Sequence, residues 1–266
     1  MTRPVVMSIA GSDSSGGAGM QGDLRTMMAF GVHGVSVVTA VTAQDSAGAR
    51  WWPVAADAVS AQLAAGLALG PAAIKTGMLG DADAARAVVA GLLAWDGPLV
   101  VDPVCRASSG VDLLDPEAFI VLRDELLPRS TLITPNLAEA EALTGGAVRH
   151  EDDQRRAAQQ LVSMGARAAL VTGGHLADEA RDVLFDGSAF HVFAAPLVST
   201  AHTHGTGCAL ASAIASRLAL GDSLVAAVDA AKSWITGAIA GGYPLGGARG
   251  PVDHAWQQRA VATPTD

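Results

Sequence analysis

Short apolar runs rich in β-branched residues alternate, along this 266-residue chain, with Ala- and Leu-rich segments of helical length. The runs predict strands at residues 5–10, 35–43, 72–75, 99–101, 132–134 and 168–172, and the segments predict helices at 57–69, 81–95, 116–127 and 153–164. Strands that alternate with helices build a mostly parallel sheet. Because the runs lack polar alternation, helices must cover both faces of that sheet. The expected fold class is therefore α/β.

The end of the chain departs from this alternation. A β-hairpin is predicted at residues 182–185 and 190–193, followed by helices at 208–220 and 224–240. Hydrophobic residues make up 50% of the chain and charged residues 16%, a composition that supports a large core. No linker-like stretch or internal repeat divides the sequence, so residues 1–266 are expected to form a single domain.

Charge and hydropathy argue against several classes of partner. The chain has 17 Lys and Arg against 26 Asp and Glu, a net charge of −9, and its only lysines are Lys75 and Lys232. Binding to a phosphate backbone needs clustered cations, so no nucleic-acid partner is expected. Polar residues, glycines and a proline interrupt the longest apolar stretch, residues 58–74, so no membrane span is expected. The absence of a signal peptide and the wide separation of two cysteines indicate a cytoplasmic protein.

Glycines and polar residues follow the predicted strands. They occupy residues 11–15, 42–44, 76–79, 102–104, 134–136 and 172–175. The carboxyl ends of parallel strands meet at one edge of the sheet, and ligands bind at that edge in open α/β sheets. The sequence therefore predicts one long crevice that collects these segments.

Residues 17–22 match the G-x-G-x-x-G pattern of dinucleotide-binding loops, and Asp45 lies where such a fold places its ribose carboxylate. Against this interpretation, residues 11–16 make the loop after the first strand longer than that fold allows. The glycines also fit two other roles. They either let the loop turn and the helix pack closely or, with Asp23, line a small-molecule pocket.

No P-loop motif occurs, so a phosphate site must be built differently. A turn containing Gly205 and Gly207 leads into a predicted helix, whose free N–H groups and dipole suit a phosphoryl group or an oxyanion. Cys208 stands at the start of that helix, where the dipole is expected to lower the pKa of the thiol. A thiolate there would take a proton from a substrate hydroxyl. The alternatives are an ordinary helix start and an inert buried cysteine.

Two acidic residues are candidates for binding Mg²⁺. Asp102 follows the fourth predicted strand, and Glu139 lies in the first turn of the helix after the fifth. Mg²⁺ keeps several waters and binds through few carboxylates, often together with nucleotide phosphates. The alternative for Glu139 is a helix cap. His175, His202 and His204 lack a recognised zinc spacing, so no zinc is expected.

Taken in order, residues 10–23, 41–44, 74–79, 101–104, 134–139 and 203–208 closely resemble the hydroxymethylpyrimidine/phosphomethylpyrimidine kinases of thiamine biosynthesis. The resemblance extends from the first strand to the last helices, although each element alone is shared with the wider ribokinase-like superfamily, which includes pyridoxal kinases. It implies a ribokinase-like three-layer fold and a homodimer. It also implies ATP- and Mg²⁺-dependent phosphorylation of 4-amino-5-hydroxymethyl-2-methylpyrimidine and then of its monophosphate.

The same resemblance implies roles for residues of the substrate pocket. Gln44 would hydrogen-bond to the pyrimidine, and Asp23 would hold its amino or hydroxymethyl end. Gly11 and Met78 would line the pocket.

The resemblance also implies the phosphoryl-transfer residues. Gly205 and Gly207 would form the anion hole, and Cys208 would act as the base. Asp102 and Glu139 would bind Mg²⁺, chiefly through water. The residues beside the nucleotide would be Thr172, Gly173, Gly174 and Thr203.

Three lysines that many family members carry are replaced here by Ser108, Thr172 and Ala201. Each lysine would bring positive charge to a phosphate-rich site, so their absence bears on nucleotide affinity and on the second phosphorylation. Arg106 is a candidate for compensating. Three other functions stay open: a pyridoxal kinase, a single-step pyrimidine salvage kinase, and a non-catalytic pyrimidine-binding regulatory domain.

Overall fold

The computed structural model describes residues 3–44, 49–107, 110–174, 179–246 and 249–262. The strands are β1 (Val5–Ser12), β2 (His33–Gln44), β3 (Ala49–Pro53), β4 (Ala73–Thr76), β5 (Leu99–Val101), β6 (Leu132–Ile133), β7 (Ala169–Gly173), β8 (Glu179–Phe185) and β9 (Phe190–Pro196). The helices are α1 (Gly19–Ala29), α2 (Ala56–Leu67), α3 (Ala82–Gly91), α4 (Pro116–Val121), α5 (Leu137–Thr144), α6 (Glu151–Ser163), α7 (Thr206–Ala219), α8 (Leu224–Ala240) and α9 (Trp256–Ala262).

The described strands form one sheet in the order β3-β2-β1-β4-β5-β6-β7-β8-β9. The strands from β2 to β7 in this order are parallel, while β3 and β8 run antiparallel to their neighbours. The chain winds outward from β1 to β2 and then returns to place β4 on the other side of β1. This reversal makes the β1/β4 edge a topological switch point, where open α/β sheets bind ligands.

Helices pack on both faces of the sheet, as the apolar strands predicted. On one face, α2, α3, α4, α5 and α6 bury residues such as Leu63, Val88 and Leu161 against the sheet. On the other face, α1, α7 and α8 bury residues such as Met27 and Ile214. Each buried layer removes apolar surface from water, and this burial stabilises the three-layer arrangement.

Departures from the predicted elements have local causes. The helix predicted at residues 116–127 is α-helical only to Val121 and continues as a π-helical turn, Leu122–Leu126, and a 3₁₀ turn, Leu127–Arg129. Pro128 explains this change, since proline has no N–H and its ring crowds the preceding turn of an α-helix. Strand β3 escaped prediction because it is an exposed edge strand without an apolar run.

No helix within these ranges is both long and apolar enough to cross a bilayer.

Candidate active site

A cleft of about 840 Å³ lies along the carboxyl edge of the sheet. The structure therefore confirms the predicted crevice. Most of the residues predicted to bind ligands line it: Gly11, Gln44, Met78, Asp102, Glu139, Thr172, Gly174, Thr203, Gly205, Gly207 and Cys208. Asp23 and Gly173 do not line it. Asp45 and His175 lie outside the described residues.

The end of the cleft near β1 and β4 is largely apolar. Met78 packs there with Ala107, and Gly11 lies against Met78, where an added Cβ would come within 2.7 Å of Sδ. Ser14 fixes the backbone of Gln44, because its Oγ accepts from Gln44 N at 2.9 Å and donates to Gln44 O at 3.2 Å. Neither bond uses the Gln44 side-chain amide. No hydrogen bond between that amide and another described residue is found, and Gln44 lines the cleft.

The first turn of α7 faces the middle of the cleft. Gly205 precedes the helix in the left-handed region, with a φ of 82°, and no side chain of the described residues caps it. An added Cβ on Gly205 would collide with the carbonyl oxygen of Gly17, so both the backbone conformation and the available space require glycine. Uncapped N–H groups at the positive end of the helix dipole favour an anion at this point.

A hydrogen-bonded network joins two loops that border the cleft. Asp13, after β1, accepts from His204 Nε2 at 2.9 Å, from Ser15 Oγ at 2.7 Å and from Ala18 N at 2.8 Å. Burial by itself raises the pKa of Asp13, but hydrogen bonds from His204, Ser15 and the backbone outweigh burial and lower the pKa to about 2. An ionised Asp13 therefore links the glycine loop to the segment before α7. Sequence reasoning missed this link, which spans 191 residues.

The contact between Asp23 and substrate stays a prediction; in this structure the Asp23 side chain is fully buried beneath the cleft and does not line it. Both of its carboxylate oxygens lie 2.9 Å from Lys75 Nζ. Ser8 Oγ and Ser212 Oγ also donate to this carboxylate, at 2.5 and 2.7 Å. Sequence reasoning missed Lys75 as its partner. The usable signal was a single lysine in an apolar strand, since a buried ammonium needs a paired carboxylate.

Asp102 and Glu139 are both buried at the middle of the cleft. Burial raises the pKa of Asp102 to about 6, although the charge of Lys75 opposes this shift. Burial and the negative charge of Asp102 raise the pKa of Glu139 to about 8. Glu139 also caps α5, since its Oε2 accepts from Asn136 N at 3.0 Å. Glu139 therefore both caps α5 and lines the cleft.

The donor atoms fit a hydrated Mg²⁺ ion. Within the ranges that the structure describes, no three His, Cys, Asp or Glu side chains form a group able to cage a metal. Asp102 lines the cleft, and its Oδ2 accepts no hydrogen bond from those ranges, although Lys75 Nζ lies 3.8 Å away. Mg²⁺ commonly takes one or two carboxylates and completes its shell with water and phosphate oxygens.

The expected thiolate at Cys208 is not found. The residue lies in the first turn of α7 and lines the cleft, as predicted. Burial raises the pKa of its thiol; Lys75 opposes this shift, but the charges of Asp102 and Asp23 add to it. The thiol is therefore protonated at neutral pH. Desolvation and the two neighbouring carboxylates outweigh the lowering effects of Lys75 and the Gly19 backbone, none of which is visible in the sequence.

Both cysteines are expected to react slowly with alkylating reagents. Burial raises the pKa of the Cys105 thiol to about 12, and the pKa of Cys208 is shifted in the same direction. Because the thiolate is the nucleophile, we expect iodoacetamide at neutral pH to modify each thiol at least about tenfold more slowly in the folded protein than in urea. Mass spectrometry of the two cysteine peptides measures this difference. Equal rates at Cys208 in the two conditions would contradict its raised pKa.

A second buried ion pair lies at the other end of the cleft. Lys232 on α8 donates to Asp182 Oδ2 at 2.8 Å, and Asp182 Oδ1 accepts from Gly173 N at 3.0 Å. The pair holds β7, β8 and α8 together beside Thr172. Gly173 therefore does not line the cleft; its backbone N–H stabilises the buried ion pair by donating to Asp182. Sequence reasoning did not identify either charged residue.

Comparison with known proteins decides the family. Residues 13–253 match the family model described as phosphomethylpyrimidine kinase. The chain belongs to the phosphomethylpyrimidine kinase family. A hydroxymethylpyrimidine/phosphomethylpyrimidine kinase from Streptomyces coelicolor is 51% identical over 258 residues, covering 96% of each chain.

Solved structures resemble this family member closely. A pyridoxal kinase from Bacillus subtilis, in complex with ADP, superimposes with a TM-score of 0.90 at 35% identity, covering 97% of this chain and 100% of its own. A phosphomethylpyrimidine kinase from Clostridium difficile 630 gives a TM-score of 0.79 at 38% identity, covering 88% of this chain and 98% of its own. These similarities confirm the ribokinase-like fold.

The family also decides between the interpretations of residues 17–22. In a phosphomethylpyrimidine kinase these glycines are not a dinucleotide fingerprint. Gly17 packs tightly instead, since an added Cβ would come within 2.6 Å of His204 Cδ2 and 2.8 Å of Pro251 Cβ. Ala18 and Gly19 of the same loop line the cleft, so the loop both packs closely and forms part of the pocket wall.

Proposed function

We propose that this protein uses ATP to phosphorylate 4-amino-5-hydroxymethyl-2-methylpyrimidine and then its monophosphate, as a step in thiamine biosynthesis. The observation that carries the proposal is the 51% identity, over 96% of the chain, to the Streptomyces coelicolor kinase. The cleft supports the same activity, because an apolar end bordered by Gln44 adjoins a helix N-terminus that no described side chain caps. These features suit a small heterocycle and a transferring phosphoryl group.

Each part of the cleft has a role in this proposal. Gln44 and Met78 bind and orient the pyrimidine, and the first turn of α7 stabilises the charge of the phosphoryl group. Phosphoryl transfer through a loose transition state depends mainly on positioning and electrostatics. Because Cys208 is protonated, the hydroxyl proton would pass to a phosphoryl oxygen as the new O–P bond forms and the bond to ADP breaks, while Cys208 lines the cleft beside the reacting groups.

Asp102 and Glu139 would hold Mg²⁺ largely through water. When bound, Mg²⁺ neutralises part of the charge on the nucleotide phosphates. Thr172, Gly174 and Thr203 border the same cleft and would contact the nucleotide.

The purified protein tests the proposal with ATP and Mg²⁺. The pyrimidine, its monophosphate and pyridoxal are offered separately, and mass spectrometry distinguishes monophosphate from diphosphate products. We expect diphosphate to form from the monophosphate. Turnover of the unphosphorylated pyrimidine alone would indicate a single-step salvage kinase, and no pyrimidine-dependent use of ATP would favour a non-catalytic binding domain.

A pyridoxal kinase is the second candidate function. It is favoured by the TM-score of 0.90 to the Bacillus subtilis pyridoxal kinase. Both substrates are small aromatic heterocycles that carry a hydroxymethyl group. The ratio of kcat/KM for the pyrimidine to that for pyridoxal decides between them, and we expect it to favour the pyrimidine.

The three positions that lack the family's lysines differ in their surroundings. Thr172 borders the cleft, Ala201 is exposed, and Ser108 lies outside the described residues. Arg106 also borders the cleft, but its exposed guanidinium donates to Asp112 Oδ1 at 2.6 Å. Arg106 is therefore the candidate to bind the phosphate of the monophosphate substrate, in competition with Asp112.

We expect Arg106→Ala to raise KM for the monophosphate by about 3–10-fold and to leave KM for the unphosphorylated pyrimidine unchanged, because the variant loses one exposed charge-assisted bond. Asp112→Ala is the matched control, since it releases Arg106 from its ion pair and should lower KM for the monophosphate. Steady-state kinetics with both substrates measures these changes. Identical KM values in both variants and the wild type would exclude Arg106 as a phosphate ligand.

The family resemblance supports two further proposals, a homodimer and a cytoplasmic location. Sedimentation of the purified protein measures its oligomeric state. The continuous sheet also supports the proposal that the chain forms one domain.

A further inference from the structure

The buried ammonium of Lys75 approaches Asp102 from beneath the cleft. Nζ lies 2.9 Å from both oxygens of Asp23 and 3.8 Å from Asp102 Oδ2. Ser8 and Ser212 complete the hydrogen bonding of Asp23. Four elements, β1, α1, β4 and α7, each contribute one of these groups, so the ammonium is held at the topological switch point.

Asp102 has few other contacts that could fix its side chain. Its backbone N–H donates to Thr76 O at 2.9 Å, which places the residue at the end of β5. The Cys208 thiol is near enough to the Asp102 carboxylate to lower its pKa. Its Oδ2, however, is buried and accepts no hydrogen bond from any described residue, so the neighbouring ammonium is its main electrostatic partner. Opposite charges at this separation attract strongly when both are buried.

We propose that Lys75 is a positioning residue for phosphoryl transfer: its ammonium, anchored on Asp23, fixes the Asp102 carboxylate at the cleft. The inference rests on the proposed kinase activity. Lys75 is fully buried and does not line the cleft, so it acts through Asp102 and does not touch substrate. A purely structural ion pair would affect folding but not kcat. Measuring kcat in a folded variant therefore distinguishes a positioning role from a structural one.

The test uses the double variant Asp23→Asn/Lys75→Met. Lys75→Met alone would leave Asp23 buried and uncompensated, which destabilises a fold severely. The double variant removes both charges of the pair, and Asp102, left without the ammonium, takes up a proton more readily, so we expect the Tm at pH 6 to lie within a few degrees of the wild type. Pyrimidine binding without nucleotide, measured by calorimetry, should stay within about twofold, whereas kcat should fall at least about tenfold because Asp102 has lost its anchor. A folded double variant with the kcat of the wild type would overturn the proposal.

Ser212→Ala is the matched control, because it removes a hydrogen bond from Asp23 but leaves the ammonium facing Asp102. We expect a lower Tm and a kcat within about twofold of the wild type. If the double variant does not fold, the kcat values of Ser212→Ala and Ser8→Ala test the role of Lys75 instead. A tenfold loss of kcat in both serine variants would show that any damage to the pair disturbs the site, and would overturn the specific role of Lys75.

Wild-type assays separate this inference from the proposed function. A wild-type protein that phosphorylates no pyrimidine would refute the proposed function, and the role of Lys75 would fall with it. An active wild type together with a fully active double variant would refute the role of Lys75 alone.

Discussion

Gly205→Ala is expected to lower kcat by about 10²–10³ and to lower the Tm. The added methyl group would collide with the carbonyl oxygen of Gly17, and alanine is strained at a φ of 82°. The first turn of α7 must then move away from the glycine loop, so its N–H groups no longer point at the phosphoryl group. Misplacing an oxyanion donor commonly costs this much in rate. Steady-state kinetics and thermal melting measure the two effects.

Gly221→Ala separates backbone strain from damage to the anion site. Gly221 also has a positive φ, 96°, but an added Cβ would meet no atom within 4 Å, and the residue lies beyond the opposite end of α7. We expect Gly221→Ala to have a lower Tm than the wild type and the same kcat. Gly205→Ala with normal kcat would show that the first turn of α7 does not bind the phosphoryl group.

Asp102→Asn is expected to lower kcat by about 10²–10³ and yet to stabilise the protein at pH 8. The rate falls because the substitution removes a carboxylate from the point where phosphate charge must be neutralised. Stability rises because burial and the negative charge of Asp23 outweigh the attraction of Lys75 and disfavour the ionised form of Asp102, whose charge also raises the pKa of Glu139. The three carboxylates therefore carry an excess of negative charge. Replacing one ionised carboxylate with a neutral amide of the same shape relieves that excess of negative charge.

The sign of the pH dependence follows from the raised pKa values. The folded protein holds protons on Asp102 up to about pH 6 and on Glu139 up to about pH 8, whereas the unfolded chain releases them near their ordinary values of 3.8 and 4.5. Ionising these groups therefore costs stability in the folded state alone, so their contribution falls as the pH rises from about 4 to 8.

Thermal melts in the absence of Mg²⁺ measure this dependence. We expect Asp102→Asn to melt at nearly the wild-type temperature at pH 5, where Asp102 is protonated, and several degrees higher at pH 8. The pKa of Asp13 is lowered to about 2, so its titration lies outside this range. A variant that melts below the wild type at pH 8 would contradict the raised pKa of Asp102.

Periodicity in the sequence was enough to place most helices and strands. Strand β5 and helix α8 have the bounds that their apolar runs predicted, and the β8–β9 hairpin lies where it was expected. Local pattern succeeds in these cases because a short, continuous apolar run suits a strand buried on both faces, and longer Ala- and Leu-rich segments suit helices. It failed at β3, where an edge strand needs no continuous apolar run.

The sequence alone indicated most of the residues that line the cleft, because a parallel sheet brings the carboxyl ends of its strands together. It could not determine how charged groups pair beneath that edge. Lys75 and Asp23 are 52 residues apart, and Asp23 and Ser212 are 189 apart. Only the tertiary structure brings them together and buries them. Burial and these pairings, which are properties of the folded chain, therefore decided that Asp23 supports the site from below and that the Cys208 thiol keeps its proton.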